Sequence, residues 1–333
     1  LQSQYSPRYI IRTTRESMLM AQQSRIRIGS RGSRLAQAMV DEVLRGLSSA
    51  HPGVSWARHT IMTAGDRDRT SSLQDLSASS GVGVFASAVE KALLGGEIDI
   101  AVHSLKDLPT TPTPGTLIAA IPQRHDARDA LCGTAVHDLR PGQKVGTSAP
   151  RRIGQLRRTC PQVMTVPIRG NVPPRLRQMR ERGLVGVLLA ATGLHRLGMG
   201  AHITQTLDPV QWPPSPAQGA IALQVRDEDT SIAQMLAVIH DMQSEATTRA
   251  ERALMAALNG GCYVPIGAYA SEEDGKLRLV AQVTSLDGLQ QVRVERSGPA
   301  DSPEELGAKS AEELSVHGAG RILDGLDSVD PVE

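Results

Sequence analysis

The stretch Ile98-Asp99-Ile100-Ala101-Val102-His103-Ser104-Leu105-Lys106-Asp107-Leu108-Pro109 decides the reading of the fold. Residues 98–104 are a short, largely apolar run, preceded by the Gly95-Gly96 pair that ends a helical pattern over 85–94. A run of that length between breakers reads as a strand buried inside a parallel sheet. It opens directly into Ser104, Lys106 and Asp107, and Pro109 stops any helix from continuing. Asp107 is therefore expected at the edge of a sheet. A carboxylate there can hydrogen-bond a substrate ammonium and stabilise a developing cation. The plainer alternative is an aspartate that caps a turn.

Outward from this strand the same alternation continues. A strand at 25–30 leads through Ser33, a candidate N-cap, into a helix that runs to about residue 47, and 55–63 reads as a second strand. The polar stretch 65–83 reads as a mobile loop. The pattern restarts near Arg128, with strands at 144–146, 163–168 and 185–190 and helices at 151–158 and 174–182. This alternation predicts two α/β lobes with mostly parallel sheets. Pro213-Pro214-Ser215-Pro216 is the clearest break. Beyond it come a strand at 219–225, a helix at 244–258, period-two strands at 263–270, 277–284 and 291–296, and a helix at 303–316. That tail reads as a small α+β domain. No internal repeat is evident.

Composition narrows the function classes. The chain has 333 residues, too many for one simple core, with 40% hydrophobic and 21% charged residues. Aromatics are 2% with a single Phe, so the cores must be built from aliphatic side chains. The net charge of +1 gives no global reason to expect nucleic acid or an acidic membrane as partner. No apolar run reaches the roughly 18–20 residues of a membrane helix. Cys132, Cys160 and Cys262 are odd in number and lack C-x-x-C spacing, which argues against a disulfide framework or a metal site and for a reducing compartment. Residues 1–24 carry Arg8, Arg12 and Arg15 without a clear amphipathic pattern. They read as a disordered leader, with an organelle transit peptide as the alternative.

Several arginines share one context, a Gly/Ser/Thr/Asn-rich turn after a strand and at the start of a helix. They are Arg31 in Gly29-Ser30-Arg31-Gly32-Ser33, Arg151 and Arg152 after Gly146-Thr147-Ser148, and Arg169 and Arg175 in Arg169-Gly170-Asn171-Val172-Pro173-Pro174-Arg175. In parallel α/β sheets such turns gather at the carboxyl edge, where helix N-termini also favour anions. Guanidinium forks pair with carboxylates in bidentate fashion, so the expected ligand carries several carboxylates or phosphates. A single arginine is more often a surface residue. Five in one context are not so easily dismissed. Cys262 follows Asn259-Gly260-Gly261, an open turn where a thiol is accessible to a covalent partner, whereas Cys132 and Cys160 read as structural.

These segments together resemble the porphobilinogen deaminase family. The match spans about residues 27–319. It rests on His103-Ser104-Leu105-Lys106-Asp107-Leu108-Pro109, Gly146-Thr147-Ser148 to Arg152, Arg169-Gly170-Asn171-Val172, and Gly260-Gly261-Cys262-Tyr263-Val264-Pro265-Ile266-Gly267, in that order. The resemblance implies two lobes like those of a periplasmic binding protein plus a small C-terminal α+β domain. The implied boundaries are 25–124 with 217–238, 125–216, and 239–333. It implies a cytoplasmic monomeric transferase that binds neither nucleic acid nor membrane. The resemblance further implies that four porphobilinogens are condensed with loss of ammonia onto a dipyrromethane held by a thioether to Cys262, with hydroxymethylbilane then released by hydrolysis for tetrapyrrole biosynthesis. By position, Asp107 matches the catalytic aspartate. Cys262, Ser104, Lys106, Asp107, Thr147, Ser148, Arg151, Arg152, Arg169, Gly170 and Gln218 fall at cofactor positions. Arg31, Ser33, Phe85, Arg169, Arg175 and Arg196 fall at substrate positions.

The chain departs from the family pattern in places. The mobile-loop lysine is replaced by Val82 in Ser80-Gly81-Val82-Gly83-Val84-Phe85, which puts that loop's anion contact in doubt. Met39 stands where a glutamine is common, with Gln37 as a candidate substitute after a local shift, and Ala217 stands where glycine is frequent. Two rivals follow. A non-enzymatic anion-binding protein would not need Cys262 on its glycine turn. A degraded paralogue would keep fold and cofactor but turn over poorly, and an assay separates it from an active enzyme.

Overall fold

The computed structural model describes residues 25–62, 87–259 and 264–325. The leader, the loop at 65–83 with Val82, and Phe85 and Cys262 lie outside the described residues. In chain order the strands are β1 (Arg25–Arg31), β2 (Ser55–Ile61), β3 (Ile100–Ser104), β4 (Thr116–Ala120), β5 (Asp129–Cys132), β6 (Lys144–Gly146), β7 (Met164–Val166), β8 (Gly186–Ala190), β9 (Ile203–Thr206), β10 (Ile221–Arg226), β11 (Ile266–Glu273), β12 (Lys276–Thr284) and β13 (Gln291–Pro299). The helices are α1 (Arg34–Ala50), α2 (Ser87–Leu94), α3 (Pro150–Thr159), α4 (Val172–Glu181), α5 (Ala191–Arg196), α6 (Thr230–Leu236), α7 (Met242–Ala257), α8 (Pro303–Val316) and α9 (Ala319–Asp324).

Two compact units divide the chain. The first contains residues up to 124 and 220–244, and the second 125–219 and everything from 245. The first unit holds a sheet of order β2-β1-β3-β10-β4. Ser33 caps α1 by accepting a hydrogen bond from the Ala36 N–H at 3.2 Å, as the sequence predicted. Ala36, Met39, Val40, Val43, Leu44 and Leu47 then recur at helical spacing and bury one face of α1 against Ile28, Ile100 and Val102. Ala101, on the opposite face of β3, packs with Val89, Ala92 and Leu93 of α2. Strand β3 is thus covered on both sides, which is why its sequence does not alternate. Each such buried aliphatic side chain stabilises the fold by about 1.5–3 kcal/mol. Met39, found where the family pattern has a polar residue, is a core side chain. Gln37 instead donates to Ser30 Oγ at 3.1 Å and to the Arg31 carbonyl at 2.9 Å, bracing the turn that presents Arg31.

The second unit holds two sheets. One has the order β7-β6-β8-β5-β9, and the other is the antiparallel meander β11-β12-β13 backed by α7, α8 and α9. The five-stranded sheets of the two units share one plan that sequence comparison within the chain did not reveal. In each, four strands run in one direction, and a single reversed strand (β10 or β5) lies between three of them and the edge strand (β4 or β9). Both inserted strands are the first that the chain forms after passing from one unit to the other. The β12–β13 turn is seated on the last turns of α3. Arg157 donates to Leu286 O at 3.0 Å and Arg158 to Gly288 O at 3.2 Å, and a Cβ on Gly154 would lie 2.7 Å from Ser285 O.

Candidate active site

On the first unit, β1 and β3 are parallel neighbours with Gly29 opposite Ala101, so Arg31 and Ser104 leave the sheet at the same carboxyl edge. Beyond Ser104 the chain makes one 3-10 turn, Leu105–Asp107, closed by the Leu108 N–H on Leu105 O at 3.2 Å. Leu105 and Leu108 are buried and anchor the turn. The antiparallel strand β10 braces it as well, since the Leu105 N–H donates to Ala220 O at 3.0 Å. Asp107 and Lys106 between these anchors are half-buried. Among the described residues the Asp107 carboxylate makes no hydrogen bond or ion pair. Ser33, at the mouth of the same edge, spends its hydroxyl oxygen on the α1 cap.

On the second unit, the turns after β6, β7 and β8 all open at the carboxyl edge of their sheet, as the arginine pattern predicted. Thr147 is buried and its N–H donates to Val166 O. Ser148 Oγ bridges the two exits, donating to Ile168 O and accepting from the Ile168 N–H, both at 2.9 Å. Gly170 takes a φ of +91°, where a side chain would be strained. Its carbonyl accepts from Arg175 Nε at 2.6 Å, while Gln178 Nε2 holds the Arg169 carbonyl at 2.8 Å. Helices α3 and α4 begin without a side-chain cap and with proline in the first turn, leaving N–H groups directed to this edge. Arg196 Nη2 donates to Gly219 O at 3.2 Å.

Arg151 and Arg152 are buried beside a carboxylate that the sequence reading overlooked. Asp129, fully buried at the start of β5, takes Arg151 Nη1 on Oδ2 and Arg152 Nη2 on Oδ1, each at 2.7 Å. Gln218, also fully buried, donates to the same Oδ1 at 2.9 Å and to Ala127 O at 2.8 Å. Burial alone would raise the Asp129 pKa, but the two guanidinium charges and their hydrogen bonds hold it well below the usual carboxylate range. Arg175 has no such compensation. Burial, and then the positive charges of Arg152 and Arg169, lower its pKa to about 10. The charges of Arg152 and Arg169 thus both bear on Arg175, and Arg152 Nε is buried with no hydrogen-bond acceptor among the described residues. An anion with more than one carboxylate would relieve both features.

The predicted residues thus fall into two groups, each brought together at one sheet edge. Arg31, Ser33, Ser104, Lys106 and Asp107 lie on the first unit, and Thr147, Ser148, Arg151, Arg152, Arg169, Gly170, Arg175, Arg196 and Gln218 on the second. Cys132 is buried in β5, where burial pushes its thiol up to about 11, and Cys160 ends α3. Both suit the structural role read for them.

Comparison with known proteins gives a consistent result. Residues 26–234 match the family model described as porphobilinogen deaminase, dipyromethane cofactor binding domain, and residues 246–315 match porphobilinogen deaminase, C-terminal domain. The chain is similar to the porphobilinogen deaminase of Desulforudis audaxviator, 41% identical over 89% of this chain and 96% of the relative. It is likewise similar to that of Nocardia farcinica, 41% identical over 92% of this chain and 90% of the relative. Among solved structures, a TRAP periplasmic solute binding protein from Desulfovibrio salexigens aligns at a TM-score of 0.38 and 10% identity, covering 66% of this chain and 72% of that one. That likeness is too loose to bear on function.

Proposed function

The chain belongs to the porphobilinogen deaminase family, and from that premise we propose which of its residues carry the reaction. The protein is a transferase of tetrapyrrole biosynthesis. It condenses porphobilinogen units with loss of ammonia and works with a covalent dipyrromethane. The observation that supports the site reading is Arg175, whose pKa is lowered by burial and then by the charges of Arg152 and Arg169. A dipyrromethane and a porphobilinogen both bear acetate and propionate groups, which fit the depressed Arg175 and the Arg152 Nε that has no acceptor among the described residues.

When bound, the dipyrromethane supplies a terminal pyrrole with a free carbon for bond formation, tethered in this reading through Cys262. On the second unit Arg152, Arg169 and Thr147 hold its carboxylates, while the Ser148 hydroxyl, engaged by Ile168, braces the turn that presents them; Ser104 and Lys106 are the cofactor residues proposed on the first unit. Arg31, Arg169, Arg175 and Arg196 orient the incoming substrate. Asp107, whose carboxylate has no partner among the described residues, accepts hydrogen bonds from the substrate ammonium and the pyrrole N–H. Its charge balances the cation that develops as ammonia departs. In the same reading residues 25–124 with 217–238, 125–216 and 239–333 are three domains, and the enzyme acts as a cytoplasmic monomer. Among the described residues no helix is long and apolar enough to cross a membrane.

The test is the intact mass of the denatured protein beside Cys262→Ala, with porphobilinogen turnover on the same samples. An added mass equal to two pyrrole units, lost in the variant, together with turnover by the unaltered chain, is the expected result. An unmodified mass from cells that make porphobilinogen would remove Cys262 from the reading and favour the anion-binding rival.

A further inference from the structure

We infer that Asp129 is a positioning residue of the anion site, and that Gln218 acts on that site through Asp129 rather than by touching the ligand. The inference rests on the reading of Arg152 as a carboxylate ligand given above. Asp129 reaches the site because β5 runs antiparallel to β8: its first residue pairs with Ala190, the last residue of β8, at the edge where the arginine turns open. There it carries one negative charge between two buried guanidinium groups.

The two arginines are not equivalent. Arg151 Nη1 is engaged by Asp129, by Gln155 Oε1 at 2.9 Å and by Pro213 O at 3.1 Å, so this side chain is tied into the interior. Arg152 gives Nη2 to Asp129 and Nη1 to Leu188 O at 3.1 Å, while its Nε remains without an acceptor and its charge is felt by Arg175. Asp129 therefore fixes the plane of the Arg152 guanidinium and leaves its Nε N–H unengaged among the described residues. Gln218 aligns Asp129 in turn. Its own backbone is set by Ala217, whose N–H is held by the fully buried Glu251 at 2.6 Å, with the second Glu251 oxygen on the Ala270 N–H at 2.7 Å. A buried pair of arginines without a carboxylate would repel, and a guanidinium without a fixed partner would be free to turn.

Charge alone and positioning predict opposite signs. Removing the Asp129 carboxylate makes the site more positive, so on charge alone a carboxylated substrate binds more tightly. If Asp129 orients Arg152, binding weakens despite the added positive charge. A purely structural role lowers the folded fraction, and with it kcat, but leaves KM where it was. The experiment is Asp129→Asn purified from porphobilinogen-producing cells. Its folded fraction is read by thermal unfolding, its two-pyrrole occupancy by intact mass, and its KM for porphobilinogen on the occupied fraction.

We expect occupancy to fall well below that of the unaltered chain, or KM to rise by about tenfold or more, the scale of one lost charge-assisted hydrogen bond. Unchanged occupancy with an unchanged or lower KM overturns the inference. If Asp129→Asn does not fold, Gln218→Leu decides the matter. It keeps both ion pairs but withdraws the neutral donor from Oδ1, and it should shift the same quantities in the same direction by a smaller factor, with values matching the unaltered chain again fatal. Failure of the unaltered chain to turn over porphobilinogen would instead refute the functional reading itself.

Discussion

Replacing Arg175 by glutamine should make the ligand-free protein no less stable and the ligand-bound protein markedly less so. A guanidinium lowered from its ordinary range to about 10 carries up to about 3 kcal/mol of unfavourable free energy in its charged form. Arg175 is half-buried, and solvent screening reduces this to about 1–2 kcal/mol. Against that, the variant loses the hydrogen bond from Nε to Gly170 O, worth about 1 kcal/mol. The net change is between zero and about 1 kcal/mol of added stability. For this depressed base the strain is present below the folded pKa and relieved as pH rises through about 10. Between pH 6 and 8 it is constant, so substitution, not titration, exposes it. Citrate, a polycarboxylate, is a suitable probe at millimolar concentration. At one hundred times its dissociation constant a ligand stabilises by about 2.7 kcal/mol, and Arg175→Gln should forfeit much of that gain. The assay is the unfolding midpoint of the full chain with and without citrate, for both proteins. A variant destabilised by more than about 2 kcal/mol without citrate, and responding to citrate as the unaltered chain does, would refute the reasoning.

Two further outcomes are expected. Asp107→Asn should lower turnover by about 10²–10³-fold, the scale set by losing one placed electrostatic stabiliser, while intact mass still shows the two-pyrrole unit; near-normal turnover sinks the assignment. His103, buried in β3 with its pKa lowered to about 4 by burial, is neutral in the folded state. Its contribution is fully present above about pH 6.5 and is lost as pH falls towards 4, on the order of 3 kcal/mol. Denaturation of His103→Leu across that range should lack this slope, and an unchanged slope would show that other groups set it.

Local signals identified most of the fold. Ser33 announced α1 because a cap is a short-range hydrogen bond, and β3 was readable because a strand covered on both faces has no polar alternation. Strands β4, β9 and the return of β10 beside β3 were harder to read. Their partners lie far along the chain, and nothing in a short apolar run tells which neighbour it will take. The departure at Ala217 is physically intelligible in the structure. Its φ of +62° lies in the left-handed region, where glycine is at ease and alanine costs about 1–2 kcal/mol. The Glu251 hydrogen bond to its N–H holds the turn in that conformation.

The site was legible where charge follows a strand in sequence and illegible where it precedes one. Arg31 ends a parallel strand, and Asp107, Thr147, Arg151 and Arg169 sit just beyond the carboxyl end of one, so the rule that ligands gather there finds them. Asp129 stands at the beginning of its strand. In a wholly parallel sheet that position lies at the opposite edge, remote from any ligand, and Asp126-Ala127-Arg128-Asp129 reads as an ordinary charged turn. Only the reversal of β5, which sets Asp129 opposite Ala190, carries the carboxylate to the arginines 22 and 23 residues further along the chain. The same reversal at β10 sets Ile221 opposite Ser104 and brings Ala220 O to the Leu105 N–H in the Asp107 turn. In each unit the strand inserted against the grain reinforces the reactive edge, so the residues just before and at its start deserve the same scrutiny as those that follow the parallel strands.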